Sequence, residues 1–142
     1  MKCRIAVVFF LGMAFMAGCN RQSGPETFSV TGTVTMNGTP VSEALVVFTP
    51  IDNDDQSVLA AQAETDTEGK FELRTYLGED DYKAGIQPGE YAVTVTKLQV
   101  VQDMTRRPKH LLPQKFSLPK TTPLRASVKV ADVNQEFEFS LD

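Results

Sequence analysis

Histidine and cysteine, the side chains with the most versatile chemistry, are scarce in this chain of 142 residues. The one histidine, His110, lies close to Arg106, Arg107 and Lys109, whose positive charges oppose the imidazolium that a general base must become. A catalytic zinc site usually draws on several histidines, and the sequence has neither a Gly-x-Ser-x-Gly motif nor a phosphate-binding glycine loop. The residues therefore favour a protein that is not an enzyme, with a minor hydrolase around His110 as an alternative.

Two acidic clusters, at 52–55 and 79–81, are candidates for binding a cation. Calcium takes about six to eight oxygen ligands, so two such loops at one end of a domain would form a site. The full EF-hand pattern is absent, and solvated loop charge is the simpler interpretation. The possible metal ligands, for calcium as the one cofactor suggested, are Asp52, Asp54, Asp55, Glu79, Asp80 and Asp81.

A basic cluster offers a possible contact for an anionic partner. It consists of Arg106, Arg107, Lys109 and His110, and it could meet a polysaccharide, lipid headgroups or an acidic protein. Solvated loop charge is again the simpler interpretation. The chain as a whole carries a net charge of −4, so we expect no nucleic-acid partner. Sugar binding on aromatic platforms is not expected either, because the chain has no tryptophan and most phenylalanines take inward positions.

The first residues have the pattern of a secretion signal. Lys2 and Arg4 precede an apolar run over 5–17, which is too short to cross a hydrocarbon core of about 30 Å. The residues Met16-Ala17-Gly18-Cys19 resemble the lipobox of bacterial lipoproteins, apart from a methionine where leucine is usual. This resemblance implies cleavage after Gly18, a diacylglycerol on the Cys19 thiol and an acylated amino terminus.

These features predict the organisation of the chain and its location. Residues 1–18 are expected to be a removed signal peptide, 19–27 a lipidated tether, and 28–142 one domain. Cys3 leaves with the signal, so the mature domain has no thiol for a disulfide or a nucleophile. By resemblance to lipoproteins of two-membrane bacteria, Asn20 is compatible with the outer membrane, facing the periplasm or the exterior.

After the tether, apolar and polar residues alternate with the period of β-strands. Turn residues separate the segments, above all Asn37-Gly38, which predicts a hairpin, and Asp66 to Gly69. Gly32 is expected to let strands or a side chain approach closely. Two connections are long: 77–90 holds three glycines and an acidic run, and 98–123 holds four prolines and shows little alternation. The seven predicted strands cover 28–36, 44–49, 58–65, 70–75, 91–95, 124–130 and 137–141.

Three stretches together resemble the carboxypeptidase regulatory-like, or transthyretin-like, domain. They are V-T-G-T-V-T-M-N-G-T-P-V at 30–41, T-D-T-E-G-K-F at 65–71 and I-Q-P-G-E-Y-A-V-T-V at 86–95. The resemblance implies an all-β, seven-stranded Greek-key sandwich of the prealbumin type. It implies no particular activity, and the chain departs from the hydrolases of this fold because it has one histidine and ends in F-S-L-D.

The sequence thus predicts a membrane-anchored lipoprotein of the cell envelope that acts as a non-enzymatic binding or structural module. Its expected partners are the lipid bilayer, through Cys19, and an envelope protein or polysaccharide. A domain that binds calcium or a small ligand through its acidic loops is the alternative.

Overall fold

A computed structural model describes residues 24–51, 57–103, 105–130 and 134–142. These residues form ten strands and one short 3₁₀ helix, Gln114–Phe116. The strands are β1 (Ser29–Met36), β2 (Thr39–Pro40), β3 (Leu45–Pro50), β4 (Ala61–Glu64), β5 (Lys70–Glu72), β6 (Arg74–Gly78), β7 (Asp81–Ala84), β8 (Gly89–Thr96), β9 (Arg125–Val128) and β10 (Asn134–Ser140).

The strands form two sheets, so the predicted all-β class is confirmed. In the first sheet β1 is central, pairing in parallel with β10 on one side and antiparallel with β2 and β5 on the other. The second sheet has the order β7-β6-β4-β3-β8-β9, and all of its pairs are antiparallel. Successive side chains of a strand point to opposite faces of its sheet, so every second side chain faces the other sheet. Val30, Val34, Val46 and Val93 are fully buried for this reason.

The two sheets meet at Phe48, a fully buried residue of β3. Its ring lies 6.3 Å from that of Phe71 and 6.0 Å from those of Phe137 and Phe139, which all belong to the first sheet. Tyr91 of β8 adds a fourth ring at 6.0 Å. Tilted and edge-on pairs of this kind are favourable beyond the area that they bury, so this cluster holds the two layers together.

Gly32 makes room for this cluster, as the sequence analysis expected. It is paired with Phe71 on one side and with Phe137 on the other. A methyl group built on Gly32 would lie 2.5 Å from Cζ of Phe71 and closer still to the carbonyl oxygen of Phe137. Only a residue without a side chain therefore fits between these two phenylalanines.

The structure departs from the seven predicted strands in three places. Asn37 and Gly38 do turn the chain with positive φ, but β2 is only two residues long, because the chain then crosses to the second sheet as β3. The predicted strand 70–75 is divided at Leu73 into β5 of the first sheet and β6 of the second. The predicted connection 77–90 contains a further strand, β7.

The connection 98–123 is mostly exposed and is anchored to the sandwich at a few points. Its first part turns back on itself, since Leu98 and His110 form a bridge and the N–H of Leu111 donates to the carbonyl of Lys97 at 2.8 Å. Further on, Leu112 and Phe116 are buried in the core beside β8. These two apolar side chains close one end of the sandwich.

Inserting a methyl group at Gly32 tests the packing of the phenylalanine cluster. We expect Gly32→Ala to lower the free energy of unfolding by about 1–3 kcal/mol, because either Phe71 or the β10 backbone must move. Thr31→Ala, on the exposed side of the same strand, is the matched control and should cost less than about 1 kcal/mol. Urea denaturation measures both, and equal stabilities of the two variants would contradict this account.

Burial raises the pKa of Tyr91 to about 12, and its hydroxyl donates to the carbonyl of Gln87 at 2.8 Å. Below about pH 10 the phenol is protonated in both the folded and the unfolded chain. Between about pH 10 and 12 only the unfolded chain releases the proton, so stability is lost as pH rises, by about 3 kcal/mol in total. Urea denaturation at several pH values should show this loss in the wild type and not in Tyr91→Phe; parallel curves would contradict it.

Candidate functional site

Some of the predicted site residues lie outside the residues that the structure describes. This holds for the proposed lipid attachment residue, Cys19, and for three of the six possible calcium ligands, Asp52, Asp54 and Asp55. Lipidation at Cys19 therefore stays a prediction from the sequence.

The other acidic cluster lies on the tight turn between β6 and β7. Glu79 and Asp80 are the two central residues of the turn, and Asp81 begins β7. Within the described residues, no three side chains of His, Cys, Asp or Glu are grouped so that they could hold a metal ion. The calcium site stays a prediction, because half of its proposed ligands are not among those residues.

The basic cluster lies in the turned-back part of the connection 98–123, and its four side chains are exposed. The guanidinium of Arg106 lies 3.7 Å from the carboxylate of Asp103, whose pKa is lowered by hydrogen bonds from the hydroxyl and the backbone N–H of Thr105. Among the described residues, the imidazole of His110 has no hydrogen bond or ion pair. An orienting acid or a nucleophile beside His110 is thus not found in this part of the chain, and both the hydrolase and the anion contact stay predictions.

A different surface stands out, the outer face of the second sheet near its β7 edge. Tyr76 of β6 and Tyr82 of β7 are cross-strand partners, and both side chains point to solvent. They are 47% and 44% exposed, and their ring centroids are 5.3 Å apart at an interplanar angle of 51°. Two large aromatic rings thus stand side by side on a rigid strand pair, with much of their surface accessible.

The two rings border a groove of about 430 Å³, here called the tyrosine groove. Its apolar lining comes from Val47, Leu59 and Ala60, and it is also bordered by Ala61, whose side chain is buried in the core. Gln62 and Asp80 add an amide and a carboxylate. An apolar concave surface with a few polar groups has the make-up of a ligand site.

A second trough of about 440 Å³ adjoins the tyrosine groove and shares Gln62 and Tyr82 with it. Leu45, which is 43% exposed, contributes an apolar wall. The trough also carries Arg74 with the two carboxylates Glu64 and Glu72. Its charges are mixed, whereas Asp80 is the only charged residue among those described around the tyrosine groove.

The two tyrosines were not predicted as site residues, because the predicted fourth strand ended at Thr75, before Tyr76, and 77–90 was assigned to a loop. The signal was present, since the alternation that starts at Lys70 continues through Tyr76 and resumes in Asp81-Tyr82-Lys83. The turn between them has no glycine or asparagine at its two central positions, although both adopt positive φ, 49° at Glu79 and 63° at Asp80. Such φ values favour Asn-Gly or Asp-Gly in hairpins, so Glu-Asp was not recognised as a hairpin turn.

None of the helices in the described residues combines the length and the apolar character needed to cross a membrane. The sequence matches no known protein-family model and no curated protein. Among solved structures, it is similar to a 9R-lipoxygenase from Cyanothece PCC8801, with 17% identity over 80% of this chain and a TM-score of 0.38. The chain spans only 16% of that protein, and a likeness this weak carries no argument about function.

The turn that bears Asp80 offers a test of the local backbone. Glu79 adopts a left-handed conformation that asparagine tolerates better than other residues with side chains. We expect Glu79→Asn to raise the free energy of unfolding by about 0.5–1 kcal/mol and Tm by a few degrees. Glu79→Gln removes the same charge without this preference and should leave Tm unchanged. Thermal unfolding followed by circular dichroism measures both, and equal Tm values would argue against strain at this turn.

Proposed function

We propose that this protein is a lipoprotein of the cell envelope, anchored through Cys19, and that its domain is a non-enzymatic binding module. The anchor is supported by the sequence Met16-Ala17-Gly18-Cys19 and by the positive and apolar segments before it. The single observation that carries the binding role is the pair of accessible rings, Tyr76 and Tyr82, on the border of the tyrosine groove.

The interior of the domain supports a binding role more than a catalytic one. Every buried side-chain nitrogen and oxygen in the described residues has a hydrogen-bond partner. Buried Thr65, for example, donates to the carbonyl of Val41 at 2.6 Å and accepts from the N–H of Ala44 at 2.9 Å. Catalytic groups often lie inside a cleft and have polar atoms without hydrogen-bond partners or strongly shifted pKa values. The tyrosine groove has instead the weakly polar lining of a recognition site.

The described part of the tether leaves the sandwich beside the two strands that carry the tyrosines. The hydroxyl of Thr27 donates to the carbonyl of Ala84 at 2.8 Å, and the ammonium of Lys83 donates to the carbonyl of Pro25 at 2.6 Å. From Gly24 back to Cys19 the chain has five residues, which span about 18 Å at most when extended. A lipid on Cys19 would therefore keep the tyrosine groove near the membrane surface.

The scaffold itself we propose to be of the transthyretin-like, carboxypeptidase regulatory-like type. In this proposal β1, β3, β4, β8, β9, β10 and the continuous pair β5–β6 supply the seven strands of a Greek-key framework, and β2 and β7 are additions. Support comes from the three motifs, whose turns at Asn37-Gly38 and Asp66–Gly69 lie where the motifs predict them.

Intact mass tests the anchor. Protein extracted from membranes should have the mass of a chain that begins at Cys19 and carries two or three acyl chains, and Cys19→Ser should lose this modification. Cys3→Ser is the matched control and should keep it, because Cys3 lies in the segment that is removed. An unmodified wild-type chain that retains residues 1–18 would overturn the proposal of a lipid anchor.

A further inference from the structure

The tyrosine groove has three properties that together restrict the chemistry of its ligand. The first is the pair of aromatic rings of Tyr76 and Tyr82, which are tilted by 51° to each other and both border the same small volume. An aromatic face attracts a cation placed within about 6 Å of its centroid, through the quadrupole of the ring. A centroid separation of 5.3 Å lets one cation lie against both Tyr76 and Tyr82.

The second property is an unpaired carboxylate. Among the described residues, no lysine, arginine or histidine nitrogen lies within 4.0 Å of the Asp80 carboxylate. The nearby ammonium of Lys83 is instead hydrogen-bonded to the carbonyl of Pro25. Asp80 thus supplies one negative charge to the groove, with no counterion in this part of the chain.

The third property is the apolar lining, which separates organic cations from metal ions. Val47, Leu59 and Ala60 offer no oxygen ligands from their side chains, and a divalent metal ion needs about six oxygens. An alkylated ammonium has no such need, because its charge is spread over methyl and methylene groups that pack well against apolar side chains. The lining therefore disfavours metal ions and favours cations with a hydrocarbon surface.

We propose that the tyrosine groove binds an alkylated ammonium group, with the cation against the rings of both Tyr76 and Tyr82 and with Asp80 as its counterion. This inference rests on the proposed function and names the ligand class of that module. The group could be a free molecule or the headgroup of a phospholipid such as phosphatidylcholine. The short tether makes the second source accessible, because it keeps the groove near the membrane surface.

Choline and its neutral isostere 3,3-dimethylbutan-1-ol provide a direct test. They have the same shape, but the isostere has an uncharged carbon in place of the positively charged nitrogen of choline. The full protein in a neutral detergent is titrated with each compound, and binding is followed by tyrosine fluorescence and by the shift in Tm. The chain has three tyrosines and no tryptophan, and Tyr91 is buried, so a change in fluorescence reports mainly on the groove. We expect choline to bind about ten-fold more tightly than the isostere.

Variants separate the roles of the ring and the carboxylate. Tyr82→Phe keeps the aromatic face and should bind choline nearly as well as the wild type, whereas Tyr82→Leu should lose about five-fold or more. Asp80→Asn should weaken choline about five-fold and leave the isostere unchanged. Asparagine suits the positive φ of position 80, so this variant keeps the inference testable even where Tyr82→Leu lowers stability.

Reconstitution distinguishes the two sources of the cation. In vesicles of phosphatidylglycerol, free choline should change the tyrosine fluorescence. In vesicles of phosphatidylcholine, an unchanged fluorescence response to free choline supports a free cation as the ligand. Loss of the response supports a groove that is already occupied by the phosphatidylcholine headgroup.

Two results would overturn the inference. One would overturn only the ligand class, and the other would also overturn the groove as the binding surface. Equal binding of choline and its isostere would leave the groove as an apolar site and the binding module intact. Absence of binding for both compounds, in both measurements, would overturn the groove as the binding surface of the module as well. Neither result bears on the lipid anchor, which the intact mass of the Cys19→Ser variant tests separately.

Discussion

The contact of Phe48 with the rings of the opposite sheet is the constraint on which the rest of this structure depends. The described residues include no cysteine that could link the layers, so their relative position depends strongly on packing. Three rings of the first sheet lie within about 6 Å of the Phe48 ring, and Gly32 leaves the space for the ring of Phe71. Because close-packed interiors resist changes in volume, this cluster fixes which face of β3 looks inward.

The orientation of β3 then determines the outer face of the second sheet. Since side chains alternate along a strand, an inward Phe48 requires an outward Val47, and antiparallel pairing carries this parity from β3 to β4 and on to β6 and β7. Thr75 is consequently buried, where its hydroxyl donates to the carbonyl of Gly85 at 2.7 Å, and Tyr76 points outward. The tyrosine groove is thus built on strands whose register follows from the core, and it needs no flexible loop to position its two rings.

The same parity explains what the sequence could predict and what it could not. Alternation identified the strands and their inward residues, and Asn37-Gly38 identified its turn, because these signals are local. The passage of the chain from the first sheet to the second at Leu73 leaves no local trace, since Phe71, Leu73 and Thr75 all point inward on either side of it. Strand β7 was missed because Glu79 and Asp80 occupy a turn that the cross-strand pairing of Tyr76 with Tyr82 imposes against their own preference.

The direction of the strands also separates two regions of the surface. The turn with Asp80 lies at the end of the second sheet where β8 begins, and the tether contacts β7 at its last two residues, Lys83 and Ala84. The basic cluster follows the other end of β8, where the ammonium of Lys97 donates to the carbonyl of Ser42 at 2.7 Å. With a lipid on Cys19, as proposed, a tether of at most about 18 Å would hold the tyrosine groove close to the bilayer, while the basic cluster lies near the far end of β8. Holding a weak site next to a surface rich in its ligand raises the effective concentration of that ligand, so modest cation–π attraction suffices for occupancy there.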